Sequence, residues 1–211
     1  MNKGTQLFLE EVLDKDRLSI IENLKQIKDL GFYLAGGTAL ALIFGHRESI
    51  DFDFFISENI DTDILFKKCL DIFDGFEIKK TFEEKNTLYI NVNGVKISFF
   101  TYKYKNIGNF IENEYFNIAS IQDIGCMKLW AIQNRATNKD YVDLYFIIKE
   151  IGLHNLINNF FLKFGQVVTD TYLLKSLIYF EDVEAEKLII KDKNISFDFI
   201  KTNLEKFVKK Y

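Results

Sequence analysis

Asp51 and Asp53, two residues apart in the run Ile50–Ile56 (IDFDFFI), are the pair in this chain best suited to chemistry. On a strand, side chains two apart project to the same side, with Cα atoms roughly 6.5–7 Å apart, so both carboxylates can converge on shared ions. Metals about 3.5–4 Å apart, held by such a pair, can bind a triphosphate and activate an attacking hydroxyl for in-line displacement. Magnesium is the expected ion, with manganese as its substitute, because hard oxygen ligands suit it and it keeps water and substrate phosphate in its shell. A short way upstream, Gly36-Gly37-Thr38 precedes a short apolar run. Absent side chains let backbone N–H groups approach phosphate oxygens, a helix N-terminus adds positive potential, and the Thr38 hydroxyl offers another hydrogen bond.

Each signal alone is weak. An isolated D-x-D is more often solvated charge on an exposed strand face, and Gly-Gly before a helix is as often a tight turn as a ligand loop. The order glycine turn, short helix, D-x-D strand within one short span favours catalysis over either bland reading. Between them lie His46 and Arg47. Both His46 and Arg47 suit phosphate or transition-state contacts, Arg47 especially, because its planar fork matches phosphate oxygens. An equally good reading has both residues tying that loop to carbonyls or to Asp51. His154, alone on a helix, reads as a surface or core residue, and no histidine accompanies a Ser or Cys nucleophile pattern, so hydrolytic triads and histidine zinc sites lack support.

The elements that must position these groups follow from periodicity. Amphipathic helices are expected over 6–29, stopped at Gly31. A short strand Phe32–Ala35 leads into the glycine turn, with Thr38 as the cap of a helix Ala39–Phe44 that stops at Gly45. Ile50–Ile56 follows as a strand with Ile50, Phe52 and Phe54 on one face. A helix over Asp61–Phe73 precedes a hairpin, Thr87–Val92 and Val95–Phe100, whose Asn93-Gly94 pair supplies the positive φ angles of a tight turn. From Ser120 the chain reads as helical: Ile121–Arg135 behind a Ser120/Asp123 capping box, Lys139–Lys149 capped by Asn138, two or three helices over 153–180 and 196–210, and a charged loop Glu181–Asn194. The class is therefore α+β, a small mixed sheet with flanking helices over 1–115 and a helical region over 116–211.

Composition narrows the partners. At 211 residues, with a net charge of −4, the chain has no overall field that would draw in a polyanion, so an RNA partner would need a local patch. Residues 1–100 hold 12 basic and 17 acidic side chains against 15 and 14 in the remainder, which favours the second half for such a patch. Cys69 and Cys126 sit in apolar stretches and read as small buried hydrophobes. Trp130, Tyr141, Tyr145 and Phe146 fall at helical spacing and read as core. The N-terminal stretch has no continuous apolar run of a signal peptide, and no segment has the length of a membrane span. A cytoplasmic protein without a membrane partner is expected.

AGGTALAL…GHRESIDFDFF resembles the first motif of the AbiEii/AbiGii-type nucleotidyltransferases, members of the DNA polymerase β-like superfamily that include abortive-infection and toxin–antitoxin toxins. SIQDIGCMKLWAIQNRATNKDYVDLYFII resembles the later motif of that family, a lysine-bearing helix followed by Lys-Asp-x-x-Asp, and LLKSLIYFEDVEAE is similar to a stretch of stand-alone members. The resemblance covers roughly residues 30–185. It implies a polymerase β-like core completed by the helical region, and transfer of a nucleoside monophosphate from a nucleoside triphosphate to an acceptor hydroxyl, with tRNA one such acceptor and a cognate antitoxin as a protein partner. Gly36, Gly37 and Thr38 would contact the phosphates, Asp51 and Asp53 would hold magnesium, and Lys128, Lys139, Asp140 and Asp143 would form a second cluster. Helix geometry permits that cluster, with Lys139 and Asp143 at i and i+4; a plain Lys139–Asp143 salt bridge is the lesser alternative. One departure stands out: where the family tends to carry a third acid, VKISFF offers Ser98, a poor metal ligand or general base. That favours, as a second reading, a nucleotide- or partner-binding module that has lost catalysis.

Overall fold

A computed structural model describes residues 7–211; residues 1–6, where the first amphipathic segment and the N-terminal stretch begin, lie outside the described residues. Three short helices, α1 (Leu9–Val12), α2 (Lys15–Ser19) and α3 (Leu24–Asp29), lead into β1 (Tyr33–Ala35) and α4 (Gly36–Phe44). Next come β2 (Phe52–Ile56), α5 (Thr62–Ile72), β3 (Ile78–Glu84), β4 (Thr87–Val92) and β5 (Val95–Thr101). Two short strands, β6 (Ile111–Glu112) and β7 (Asn117–Ile118), precede α6 (Ile121–Ala131), α7 (Asn138–Ile151), α8 (Leu153–Phe164), α9 (Asp170–Leu177) and α10 (Phe197–Lys210).

The strands form one mixed seven-stranded sheet in the order β3-β4-β5-β2-β1-β7-β6 among the described residues. The Asn93-Gly94 hairpin forms as its turn chemistry demands, Asn93 at φ 47° and Gly94 at φ 89°. At the centre, β2 pairs antiparallel with β1 and parallel with β5, and β1 pairs parallel with β7. The sheet therefore runs past residue 116, because β7 joins it. β3, β6 and β7 escape a pattern reading: β3 (IKKTFEE) is an edge strand with mostly exposed residues, and two-residue strands have no period.

The apolar face of the sheet carries Phe52, Phe54, Leu88, Ile90, Ile97 and Phe99, all fully buried. α4 packs on β1 and β2 and is itself covered by α6 and α7, which explains why nearly all of its side chains are apolar and buried. The expected pairing of Ile50 with Phe52 and Phe54 does not occur: Ile50 precedes the strand and is exposed. Cys69, Cys126, Tyr141 and Tyr145 are buried, while Trp130 and Phe146 are half-buried against the core. Burial pushes both thiols up to about 12, so they remain protonated at neutral pH.

Candidate active site

β1 ends at Ala35, paired with Asp53, so the chain turns into α4 beside the aspartate. Gly36 has φ 72°, a conformation that favours glycine, and a Cβ there would stand 3.2 Å from Asp53 Oδ2. A Cβ at Gly37 would overlap the Arg47 guanidinium. Both positions are glycines because two site side chains occupy the space above them. The helix begins at Gly36 itself, earlier than the expected Ala39, and Ala35 in the cap position offers no side-chain bond. Thr38 is accordingly not the cap. It lies within the first turn, buried, where its hydroxyl donates to the Asp51 carbonyl and pairs with Ser49 Oγ at 2.7 Å. That ties the start of the D-x-D segment to α4.

Asp51, just before β2, and Asp53, within it, are half-buried and line a cavity of about 300 Å³. Ser98 on β5 lies directly across from Asp53 in register and is 1% exposed. Burial raises the Asp53 carboxyl above its ordinary value, and the Asp51 charge adds to the rise. A hydrogen bond from Ser98 and the charges of Lys96 and Lys128 oppose it only in part.

The opposite wall is cationic, built from Lys128 and α7 in the second half of the chain and from Arg47 in the loop after α4. Lys128 on α6 reaches Asp140 Oδ1 at 2.7 Å and Asp143 Oδ2 at 2.9 Å, both on α7. Arg47 grips Asp143 with two nitrogens, Nε to Oδ1 at 2.8 Å and Nη2 to Oδ2 at 2.9 Å, and donates to the Glu48 carbonyl through Nη1. His46 Nε2 lies 2.8 Å from the same Asp143 Oδ1. Asp143 is fully buried: burial alone would lift its carboxyl, but Arg47, Lys128 and His46 hold it well below the usual range. Burial pulls Lys128 down, and Asp143 and Asp140 more than reverse this. His46 is lowered by burial, and its Nδ1 has no hydrogen-bond partner among the described residues.

The structure thus re-sorts several residues. Asp143 does not line the cavity; it is the hub on which Arg47 and Lys128 are hung, so it cannot touch substrate in this arrangement. His46 is likewise behind the wall, 4% exposed, tied to Asp143 rather than to Asp51 or to a ligand. The Lys139–Asp143 bridge is not formed: Lys139 faces the cavity and pairs with Glu186 at 2.7 Å. Asp140 takes part in a capping box, accepting from the Thr137 N–H and hydroxyl, so Thr137 and not Asn138 caps α7. At α6 the Ser120 cap forms, but the Asp123 carboxylate turns instead to the Ile107 and Gly108 amides and to Lys163.

The loop Glu181–Asn194 contributes what the motifs did not show. It crosses the cavity mouth, with Glu186, Lys187 and Ile189 in the lining, alongside Ser49 and Arg135. Glu48 N donates to the Ile189 carbonyl at 3.0 Å and Lys191 N to the His46 carbonyl at 2.9 Å. At the other end, Asn138 N donates to the Glu184 carbonyl and Glu184 N to the Ala136 carbonyl. The apolar residues Leu188 and Ile190 inside a charged loop, both half-buried against the core, were the available signal that it packs against something, while Ile189 between them stays exposed.

The profile of the nucleotidyl transferase AbiEii toxins of type IV toxin–antitoxin systems matches residues 21–208. The chain belongs to the AbiEii toxin family of nucleotidyltransferases. An uncharacterized protein of Aquifex aeolicus (strain VF5) is 36% identical to this AbiEii-family chain over 176 residues, 78% of the chain and 83% of the relative. Among solved structures, the nucleotidyltransferase toxin MenT4 of Mycobacterium tuberculosis superimposes with a TM-score of 0.59 at 13% identity, covering 96% of this chain and 86% of that one. JHP933 from Helicobacter pylori gives 0.51 at 17%, covering 94% and 97%. The antibiotic-resistance factor ANT(2'')-Ia gives 0.52 at 11%, covering 70% and 91%. At such identities these likenesses speak for the fold, the polymerase β-like nucleotidyltransferase architecture with its seven-stranded sheet. No described helix of the AbiEii-family chain is long and apolar enough to cross a membrane.

Proposed function

We propose that the protein moves a nucleoside monophosphate from a nucleoside triphosphate to an acceptor hydroxyl, using a divalent cation held by Asp51 and Asp53. The observation that carries this is the electrostatic split of one cavity: two mutually repelling carboxylates on the sheet side, a lysine and an arginine held in place on the helix side. Asp53 has a neutral hydroxyl as its close side-chain partner and a like charge beside it, the condition a hard cation relieves. Among the described residues no three His, Cys, Asp or Glu side chains converge as a metal cage, so the chain offers two carboxylates and leaves other positions to water and substrate oxygens. That donor set fits magnesium or manganese.

When bound, such an ion would screen the charge of the triphosphate and of the departing pyrophosphate. The chain's own groups do the rest. The α4 N-terminus at Gly36 and Gly37 presents backbone N–H groups and positive potential to phosphate. Lys128 and Lys139 line the same cavity as further phosphate contacts, with Arg47 behind Gly37 fixing the geometry of Lys128 through Asp143, and Glu186 holding Lys139. The acceptor oxygen would attack the α-phosphorus as the α–β bridging bond breaks, with charge neutralised by these cations. Residues 116–211 complete the cleft in this reading, through Lys128, Arg135, Thr137, Lys139 and Asp140. An RNA end such as that of tRNA is the acceptor, and a cognate antitoxin the regulating partner, that membership in the toxin family suggests.

Ser98 favours a second reading. A carboxylate there would complete a three-acid set with Asp51 and Asp53; with the serine the set is incomplete, and the cavity would then serve to bind nucleotide without transferring it. Incubation with each α-labelled triphosphate, magnesium and total RNA separates the two. Label in RNA together with released pyrophosphate, absent from the Asp51→Ala/Asp53→Ala variant, is expected of the enzyme. Magnesium-dependent triphosphate binding without pyrophosphate release would leave only the binding module.

A further inference from the structure

Far from the aspartates, where β1 begins and β2 and β5 end, a second cavity of about 640 Å³ opens. Its position follows from register: Ser98 lies opposite Asp53, and Tyr102 is four residues further on, about 13 Å along an extended chain. The segment Tyr102-Lys103-Tyr104-Lys105 lines it, alternating aromatic and cationic, together with Tyr33 and Phe110. Tyr104 is 45% and Phe110 41% exposed, so both rings offer apolar surface to a ligand. Their neighbours extend the aromatic surface: Tyr33 and Phe110 lie 5.0 Å apart and Tyr102 and Tyr104 5.5 Å apart between ring centres. Tyr102 and Tyr104 also line an adjoining apolar hollow of about 160 Å³ that reaches Trp130.

Charge distinguishes this cleft from a plain apolar groove. Lys103 and Lys105 are exposed, and neither has a carboxylate partner among the described residues, whereas Glu58 is the acidic residue in the lining. The loop is also held in shape. Lys163 Nζ donates to the Lys105 carbonyl at 2.9 Å and pairs with the fully buried Asp123 at 2.6 Å. The same carboxylate accepts from the Ile107 and Gly108 amides. Lys163 and Asp123 neutralise each other, so the free positive charge of the cleft resides in the two rim lysines.

We propose that this cleft binds single-stranded nucleic acid, with unpaired bases stacking on Tyr104 and Phe110 and phosphates running past Lys103 and Lys105. Exposed ring faces favour unstacked bases, and alternate lysines lie where a backbone would follow them. A duplex buries the faces that these rings would need. The cleft supplies the local patch that a chain with net charge −4 requires if it is to hold a polyanion at all. It is a docking surface separate from the reacting cavity, and it stands or falls independently of the transfer reaction.

The test is fluorescence anisotropy with labelled 12-mers of oligouridylate and oligoadenylate, and a duplex of equal length, using the whole chain. Both single strands are expected to bind and the duplex to bind at least tenfold more weakly. Two lysines neutralising two phosphates predict a slope of about −1.4 in log K against log salt. Phe110→Ala and Tyr104→Ala should each weaken binding about tenfold. Because Tyr104 also touches Phe164, Lys103→Ala/Lys105→Ala provides a surface variant that leaves packing intact, and it should flatten the salt slope. Magnesium-dependent triphosphate binding should be the same in all of these variants. Absence of oligonucleotide binding, which would hand the cleft to a protein ligand, overturns the proposal, as does binding that persists unchanged in the lysine variant.

Discussion

Two pairs of aspartates face opposite electrostatic fates in this molecule. Asp140 and Asp143 on α7 receive their cations from the chain itself, Lys128 and Arg47, and Asp143 is driven far into its charged form. Asp51 and Asp53 receive none at contact distance among the described residues, and Asp53 is pushed toward its protonated form. The same residue type is structural where the fold supplies a counter-charge and reactive where it withholds one. A buried paired carboxylate is costly to break, while a repelling pair stores an affinity that an external cation can satisfy.

The largest expected effect removes the unsatisfied pair. Asp51→Ala/Asp53→Ala should lower transfer by about a thousandfold or more, as losing key charge-stabilising groups does, while the thermal midpoint without magnesium stays equal or rises. A midpoint that falls by many degrees would mean that these acids hold the fold together and that the contrast is false.

Asp143→Ala attacks the satisfied pair and should cost about 3–5 kcal/mol in urea unfolding, because it strands buried Arg47 and Lys128. Its pH dependence carries a sign. A carboxyl depressed in the folded state adds stability above its unfolded value of 3.8, and that stability is lost as pH falls from there toward the folded value. The wild type should therefore show an acid loss of stability beginning near 3.8 that Asp143→Asn lacks. Asp53 behaves in the opposite sense: its carboxyl is raised, so protons compete with magnesium above 3.8, and magnesium affinity should weaken as pH is lowered toward that value from above.

Ser98→Asp sharpens the contrast by adding a third like charge in register with Asp53. It should destabilise the metal-free protein by about 1–3 kcal/mol, within the usual range for an unpaired buried charge, and magnesium should recover more of that loss than it adds to the wild type. Smallest is Glu186→Gln, which removes the half-exposed partner of Lys139 and should change stability by less than about 1 kcal/mol. A larger loss would mean that the strap over the cavity is part of the folding core.

Much of this was written in local pattern. Alternation in FDFF, the Asn93-Gly94 turn, the glycines that open α4 and the helices from Ser120 all follow from chain-local chemistry, and so the strand that carries Asp53, the hairpin that carries Ser98 and the helix that carries Lys128 were legible. The family resemblance added the second motif. Partners were not legible. Whether Lys139 would bind Asp143 or a residue 47 positions away depends on which loop returns to the cavity, and i,i+4 spacing only permits a pair. Thr38 illustrates the same limit: a threonine after two glycines suits a cap, yet closure of the Ser49–Asp51 segment onto α4 claimed its hydroxyl.

The sequence by itself determined most of the elements and that two acids would stand two residues apart at the start of a strand, because periods of 2 and 3.6 and turn residues act over a few neighbours. Tertiary structure alone decided which charges met. Closure of α6, α7 and the 181–194 strap over the sheet gave Asp143 its cations and left Asp53 without one, since Coulomb energy and desolvation depend on distance and burial in space, to which order along the chain is blind.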